Sequence, residues 1–355
     1  MGETKDEIRL DWKECERWAS TVLVRAGSSA DQADAVAWGV AEGQAAGIAT
    51  HGIVRLPQYC ESLQAGAVNP NPEISVTGRG TSALLYDADG GYGYAPMREL
   101  VDELCDLAKT RGIAIGGVKD SHHFGAAWIY ARRVASAGMA GIITTNASAN
   151  LVGPGAVRAI VGNNPIAFVA PGGPQRPAIC ADVALSQVAF GRIRIAARLG
   201  QPIPLGWARG VDGQPTTDAA DAVAAQLLEP MGGHKGFALA TMIEILAGIM
   251  TGSPFGASSN AHAGRDGGVG HLAIVFDPAI FISRQAFEDS IDRLDDELRA
   301  AMTDSNAITL PGQREERARQ QALECGLPIA TSVWERLEKL EIPGLPRPQP
   351  ISMVA

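Results

Sequence analysis

The run Gly112-Ile-Ala-Ile-Gly-Gly-Val118, continued by Lys119-Asp120-Ser121-His122-His123-Phe124-Gly125, decides how this chain is read. The first seven residues are apolar or Gly and bear no charge, the pattern of a buried strand. Ala126 to Gly138 reads as a helix. Polar, proton-active groups therefore stand at a strand-to-helix turn. A strand end holds side chains on a rigid base, and a helix N-terminus favours negative charge. Two of the six histidines sit in this turn. A His-His pair more often caps and packs a turn than reacts, so its meaning depends on the flanking sequence.

Working outward, strand and helix patterns alternate on both sides. Ile8 to Ala26 and Ser29 to Gly47 read as amphipathic helices, and a third begins near Pro57 and ends near Gly66. Val68 to Pro72 is a Pro/Asn linker and a candidate lobe boundary. Short strands at 74–76 and 82–86, a glycine turn at 89–94 and a helix at 96–110 lead into the central strand. After it come strands at 141–145, 166–171 and 179–184, a helix at 186–199 and a Pro/Gly loop at 201–217. A helix at 237–250, a loop at 253–269, a strand at 271–276 and a helix at 281–304 follow. A strand and turn at 308–313, helices at 314–324 and 332–340 and a Pro-rich tail complete the pattern. The class is α/β.

The 355 residues carry 46% apolar and 19% charged side chains, which fits a large folded core and excludes a disordered chain. A formal charge of -9 argues against nucleic acid, whose phosphates need clustered Lys and Arg. It leaves a small carboxylate open, because one Arg can hold it. Apolar runs break well short of the roughly 18–20 residues of a membrane span. Met1 to Glu7 is polar, without a signal pattern, and Cys15, Cys60, Cys105, Cys180 and Cys325 are scattered and odd in number. Neither a disulfide framework nor a metal spacing results, and a cytoplasmic protein is expected.

Four polar clusters stand out: Thr50/His51/Arg55, Ser121/His122/His123, Asn146 with Asp182, and Gly232-Gly-His-Lys-Gly236. His51, Arg55 and Tyr59 lie four apart and share a face if helical. Asn146 lies beyond a strand end, where small polar residues leave backbone N–H groups open to a ligand, and Asp182, near the end of its strand, can hold ribose hydroxyls or bond a neighbouring loop. Glycines with Lys235 at a helix start make a phosphate cradle, although the P-loop order is absent. Arg192, Arg194 and Arg198 read as a solvated face. The formal fingerprint Gly268-Val-Gly270-His-Leu-Ala273 is rejected, because a strand follows it where a helix is required. A His near neutral pKa and a carboxylate-gripping Arg, beside nucleotide-type loops, suit hydride transfer between a nicotinamide and a 2-oxo acid.

Several stretches carry a resemblance. Thr50-His-Gly-Ile-Val-Arg-Leu-Pro-Gln-Tyr59, Ser121-His-His-Phe-Gly125, Gly162-Asn-Asn-Pro-Ile-Ala-Phe168, Asp182-Val-Ala-Leu-Ser186, Gly213-Gln-Pro-Thr-Thr-Asp218, Gly232-Gly-His-Lys-Gly236 and Pro311-Gly-Gln313 occur in order along the chain. Together they resemble the malate/L-lactate dehydrogenase family, which includes ureidoglycolate and sulfolactate dehydrogenases and Δ1-piperideine-2-carboxylate reductase. The resemblance implies a non-Rossmann, mixed-sheet cofactor domain with a helical N-terminal lobe. It implies an NAD- or NADP-dependent oxidoreductase acting on a 2-hydroxy or 2-oxo acid, or on a cyclic imino acid, and a homodimer. His123 would be the acid/base, ahead of His122, and Arg55 the carboxylate anchor. His51 and Ser121 would be catalytic neighbours, with Thr50 and Tyr59 lining the substrate pocket. Asn146, Asp182, Val183, Ala184, His234, Lys235, Gly312 and Gln313 would bind the cofactor. The family commonly has Ser at position 50, Thr at 163 and Met-Ala-Thr at 183–185, where this chain has Thr50, Asn163 and Val183-Ala184-Leu185.

The domain division expected is 1–70 for the helical lobe, with helices 314–345 packing back, 71–120 as a linking segment, and 121–313 as the NAD(P)-binding unit. Two other classes compete. A metal-dependent hydrolase on His51, Asp120, His122 and His123 lacks any metal-ligand spacing, so no metal is expected. A non-catalytic nucleotide-binding protein of the same fold would be indifferent to loss of His123.

Overall fold

The computed structural model describes residues 7–173, 176–259, 268–301, 310–338 and 340. In chain order, β1 (Glu7–Leu10) is followed by α1 (Trp12–Arg25), α2 (Ala30–Ala45), two 3-10 turns (Ala49–His51 and Ile53–Arg55) and α3 (Leu56–Gln64). Then come β2 (Ser75–Arg79), β3 (Ala83–Asp87), α4 (Tyr94–Arg111), β4 (Ile113–Ser121), α5 (Ala127–Ser136), β5 (Ala140–Thr145), β6 (Ile166–Ala170) and β7 (Ile179–Val183). The next elements are α6 (Phe190–Arg198), β8 (Ala208–Arg209), α7 (Ala219–Ala225), β9 (Leu227–Leu228) and α8 (His234–Ile243), which continues as a π-helical turn over Glu244–Ile249. β10 (Val269–Phe276), α9 (Arg284–Ala300), α10 (Gln313–Cys325), β11 (Leu327–Ala330) and α11 (Thr331–Glu338) follow.

Seven strands form the main sheet in the order β2-β3-β4-β10-β5-β6-β7. Only β3 and β4 pair in parallel, and every other neighbour is antiparallel. β10 lies at the centre, between β4 and β5, so His271 stands opposite Val118 on one side and Thr145 on the other. That register sets a late segment of sequence directly behind the Ser121–His123 turn.

Apolar side chains cover both faces of this sheet. One core joins Leu23, Val36 and Tyr59 of the N-terminal helices to Leu100, Val118, Tyr130 and Val169. A second joins Leu151, Leu185, Ile193, Leu228, Ile243 and Leu272. The first core is continuous across the Val68–Pro72 linker. The linker itself is strapped to the glycine turn, Asn69 N donating to Gly90 O at 2.8 Å.

Several elements differ from their sequence pattern. Ile8 to Leu10 is a strand paired with β11 rather than the start of α1. Asp11 is the reason: its carboxylate accepts from Glu14 N at 2.9 Å and starts the helix there. The loop at 201–217 contains β8, and the unassigned stretch after it forms α7 and β9. Asp218 caps α7 through Ala220 N and Asp221 N. Gln313 opens α10 instead of closing a strand and turn, whose residues 308 and 309 lie outside the described residues. Residues 260–267 of the expected loop, 302–304 of the expected helix and the Pro-rich tail from 341 also lie outside them.

Candidate active site

The segment after α2 is two 3-10 turns broken at Gly52, so His51, Arg55 and Tyr59 do not share one helical face. The break requires glycine. A Cβ on Gly52 would lie 2.3 Å from Gln44 Oε1, the atom that accepts Ile53 N. The three residues still converge, because the turn at β4 brings His123 among them. The His51 and His123 rings stack with centroids 5.4 Å apart and planes 10° apart. Tyr59 Oη lies 2.6 Å from His123 Nδ1, and Tyr94 Oη lies 2.9 Å from Tyr59 Oη.

These contacts assign protons. Gly125 N donates to His123 Nδ1 at 3.2 Å, so that nitrogen is an acceptor. Tyr59 must therefore donate to it, and Tyr94 must donate to Tyr59. Neutral His123 then carries its hydrogen on Nε2. Burial pushes the Tyr59 hydroxyl up to about 12, against a lowering by the Arg55 charge and by Tyr94, so it keeps its proton at any working pH.

His51 differs. Its Nδ1 lies 3.0 Å from Thr50 Oγ1, and among the described residues its Nε2 carries no hydrogen bond. Burial first, and then the Arg55 charge, hold it down at about 3, so it is a neutral base. Arg55 is fixed by Nε donating to Thr50 O at 2.7 Å and Nη1 to Gln58 Oε1 at 2.9 Å. Neither partner is charged.

Ser121 is not beside these groups. It is fully buried, with its hydroxyl 2.9 Å from His271 Nε2. His271 lies 2.7 Å from Thr145 Oγ1 through Nδ1 and stacks on Phe124 at 4.4 Å. Gly93 admits this packing: a Cβ there would be 2.4 Å from His271 Nε2 and 2.9 Å from Ser121 Oγ. Ser121 thus anchors the turn from below. His122 is buried in the same layer.

The expected cofactor residues divide in two. β7, which ends at Asp182–Ala184, and the segment after it bond to stretches adjoining other candidates. Leu185 N donates to Asn163 O, Met231 N to Leu185 O, Gln187 N to Glu229 O and Cys180 N to Pro311 O. His234 and Lys235 are exposed at the start of α8. Gly232 and Gly233 adopt φ of 62° and 65° in open space, which leaves backbone there accessible to an anion. Asp182 accepts Trp128 N at 2.9 Å and so caps α5, directly after the histidine turn. Desolvation lifts its carboxyl to about 6, against the bond from Trp128, with Glu315 adding to the rise. Gly312 rests on Cys180.

Asn146 and Gln313 do not offer their side chains. Asn146 Nδ2 donates to Glu244 Oε1 and Pro254 O, and its Oδ1 accepts Gly270 N, so its amide is fully used inside the protein. Gln313 is buried, its Oε1 accepting from Arg299 and Leu310 N. The unforeseen centre is Glu244. This buried carboxylate accepts from Asn146 Nδ2 at 3.1 Å, Asn164 Nδ2 at 2.7 Å and Gly256 N at 2.8 Å. The signal was available: Glu244 is the only charged residue in the apolar run Phe237 to Met250, and a lone buried acid must be met by donors. No group of three or more metal-type side chains is found among the described residues.

A fitting anion cradle, a carboxylate-type Arg and stacked imidazoles leave the reaction class open between several families. Comparison with known proteins decides it. The model of the malate/L-lactate dehydrogenase family matches residues 10–338. The chain belongs to the malate/L-lactate dehydrogenase family. Among its relatives is a Delta(1)-pyrroline-2-carboxylate reductase of Pseudomonas fluorescens, 36% identical over 326 residues, covering 90% of this chain and 94% of the relative. Another is an NADP(+)-dependent (2R)-3-sulfolactate dehydrogenase of Chromohalobacter salexigens, 32% identical and covering 94% of each chain. A solved delta1-piperideine-2-carboxylate reductase of Pseudomonas syringae superposes with a TM-score of 0.84 at 30% identity, covering 93% of this chain and 98% of the other. Among the described residues no helix is long and apolar enough to cross a membrane.

Proposed function

We propose that this family member is an NAD(P)-dependent oxidoreductase that interconverts a 2-hydroxy acid and a 2-oxo acid. The observation that carries the reading is the His51/His123 stack beside Arg55. A carboxylate on Arg55 brings its neighbouring carbon against His51 of the same short segment and the His123 ring stacked on it. Cyclic imino acids present the same carboxylate beside a C=N carbon, and the 36% identical reductase favours that second reading.

The resemblance ranks His123 first as acid/base. The hydrogen bonds support a different division of labour. Protonation of His123 at Nδ1 would oppose the Gly125 N–H and require Tyr59 and Tyr94 both to reverse. His51 faces no such barrier. In the substrate-free protein it is the neutral base that alcohol oxidation requires. Burial holds His51 down most; a carboxylate on Arg55 cancels the smaller lowering by the Arg55 charge, so substrate binding raises the affinity of His51 for the proton that reduction must deliver. Thr50 orients the His51 ring, and His123 forms the fixed wall against which it stacks.

The nicotinamide, when bound, would supply or take the hydride at the carbon next to the carboxylate. The exposed glycine turn at 232–233, the backbone amides that open α8, Lys235 and the segment 182–187 fit a dinucleotide and would hold it. The mostly antiparallel sheet supports a non-Rossmann cofactor unit within 121–313, a linking segment at 71–120 and a helical lobe at 1–70 on which the helices from 314 pack. Exposed Leu239, Met242, Ile245, Ile249 and Met250 along α8 and its π-helical turn support a homodimer, and the scattered cysteines a cytoplasmic one. Light scattering tests the dimer. The function is tested by following absorbance at 340 nm with NADH and NADPH separately, against pyruvate, oxaloacetate, 3-sulfopyruvate and Δ1-piperideine-2-carboxylate. Ureidoglycolate is offered with NAD and NADP. Turnover of at least one acid supports the reading, and absence of both turnover and NAD(P)H binding defeats it.

A further inference from the structure

The turn that carries His51 rests directly on the last turn of α2. A Cβ on Gly43 would lie 3.0 Å from His51 O, and one on Gly52 3.1 Å from Gln44 Cα. Gln44 is a buried amide in a helix whose other buried residues are mostly Ala, Val and Gly, so both its ends must be met. Its Oε1 accepts from Ile53 N at 3.3 Å, the amide that opens the second 3-10 turn and leads to Arg55. Its Nε2 donates to Pro328 O at 2.6 Å, in β11, 284 positions away. An N–H can only donate and a carbonyl can only accept, so the orientation of the amide is fixed. β11 is itself held in place. Leu327 and Ile329 are fully buried, Arg9 Nη1 donates to Gly326 O at 3.2 Å, and Arg319 of α10 pairs with Glu42 of α2 at 2.8 Å.

We propose that Gln44 is a positioning residue: it ties the docked C-terminal strand to the junction between the turn of His51 and the turn of Arg55, and so sets those two side chains relative to each other. This rests on the function proposed above and adds to it a residue that touches neither substrate nor cofactor. The reaction needs Arg55 to place a carboxylate so that the adjacent carbon meets His51, and an error of about 1 Å in such a placement costs up to roughly a hundredfold in rate. The junction does not hold itself. Gly52 has the widest choice of backbone angles of any residue there, and the amide after it is met by Gln44. An aliphatic side chain at position 44 would strand both Ile53 N and Pro328 O. A carboxylate there would accept from Ile53 N but face Pro328 O with no hydrogen to give, whereas the protonated acid would make both bonds.

The test compares wild type, Gln44→Met, Gln44→Glu and Arg319→Gln on the best acid found, with NADH or NADPH, from pH 5 to 8. Gln44→Met keeps the volume and loses both bonds, so kcat should fall about tenfold or more while KM for NAD(P)H stays within about twofold. Gln44→Glu should lose as much at pH 8 and recover to within about threefold of wild type at pH 5, because burial and the facing carbonyl favour its protonated form. The charged or titratable groups on the elements packed around position 44 include the Glu42–Arg319 and Glu7–Arg9 pairs, Arg55 and His51. Wild type shares them all, so the ratio of variant to wild type isolates the new carboxyl. Arg319, whose contacts are Glu42 and Trp12, lies away from the junction. Arg319→Gln should lower the urea midpoint and leave kcat within about twofold. Wild-type kcat in Gln44→Met overturns the proposal. So does a loss in Gln44→Glu that does not recover at pH 5, or an equal loss in Arg319→Gln, since loosened structure rather than this bond would then set turnover. If Gln44→Glu does not fold at pH 8, Gln44→Met decides. Failure of wild type on every acid and both cofactors would instead count against the underlying function.

Discussion

Replacing Tyr59 by Phe removes one oxygen from the centre of the site. The side chain is fully buried, as is that of Tyr94. The hydroxyl makes two hydrogen bonds, at 2.6 Å to His123 Nδ1 and 2.9 Å to Tyr94 Oη. Each is worth about 1 kcal/mol net, and the Tyr94 O–H, left without an acceptor, adds roughly 1–3 kcal/mol of desolvation. The sum is a destabilisation of about 3–5 kcal/mol, partly relieved if Tyr94 finds water. Urea unfolding should show a lower midpoint at unchanged slope. The same change releases His123. In wild type, nitrogen NMR of neutral His123 should report hydrogen on Nε2; in Tyr59→Phe, where the Tyr59 hydroxyl no longer donates to Nδ1, both tautomers should appear. A loss of stability below about 0.5 kcal/mol, or an Nδ1–H tautomer in wild type, would refute the assignment of protons.

Other substitutions probe the supports. Glu244→Gln turns one acceptor into a donor facing Asn146, Asn164 or Gly256 N, and should cost about 2–4 kcal/mol in urea unfolding, because a buried donor is then stranded. For Asp182 the folded carboxyl, at about 6, sits above its ordinary value of 3.8. The folded state therefore holds the proton more tightly, so this group's contribution to stability declines as pH rises from about 4 to 6 and is flat above. Asp182→Asn, which can still accept from Trp128 N, should gain stability relative to wild type across that window. A constant difference from pH 4 to 8 would mean that the carboxyl is not perturbed.

Alternation of strand and helix, and the strand-turn-helix around His123, were legible because apolar periodicity reports burial directly. Convergence of His51, Tyr59 and His123 was legible only through resemblance. Nothing local says that residues 51 and 123 stack, since β4 and the glycine turn must first set them together. Ile8 to Leu10 misled because a strand that pairs with residues 327–330 leaves no local signal beyond three residues. Asn146 presents a related case. A polar residue beyond a strand looks the same whether it meets a ligand or a buried Glu, and the partner is 98 positions away. Which histidine moves the proton depends on donors to one nitrogen, a detail that exists only in three dimensions.

The central claim is that substrate bound at Arg55 exchanges its proton with His51. The most direct test is the turnover of His51→Gln beside that of His123→Gln, on the best acid found, with NAD(P)H binding measured by fluorescence in parallel. The account predicts a fall in kcat of roughly 10²–10⁴-fold for His51→Gln with cofactor binding retained, and a smaller fall for His123→Gln. Near wild-type kcat in His51→Gln, with the large loss in His123→Gln, would contradict it.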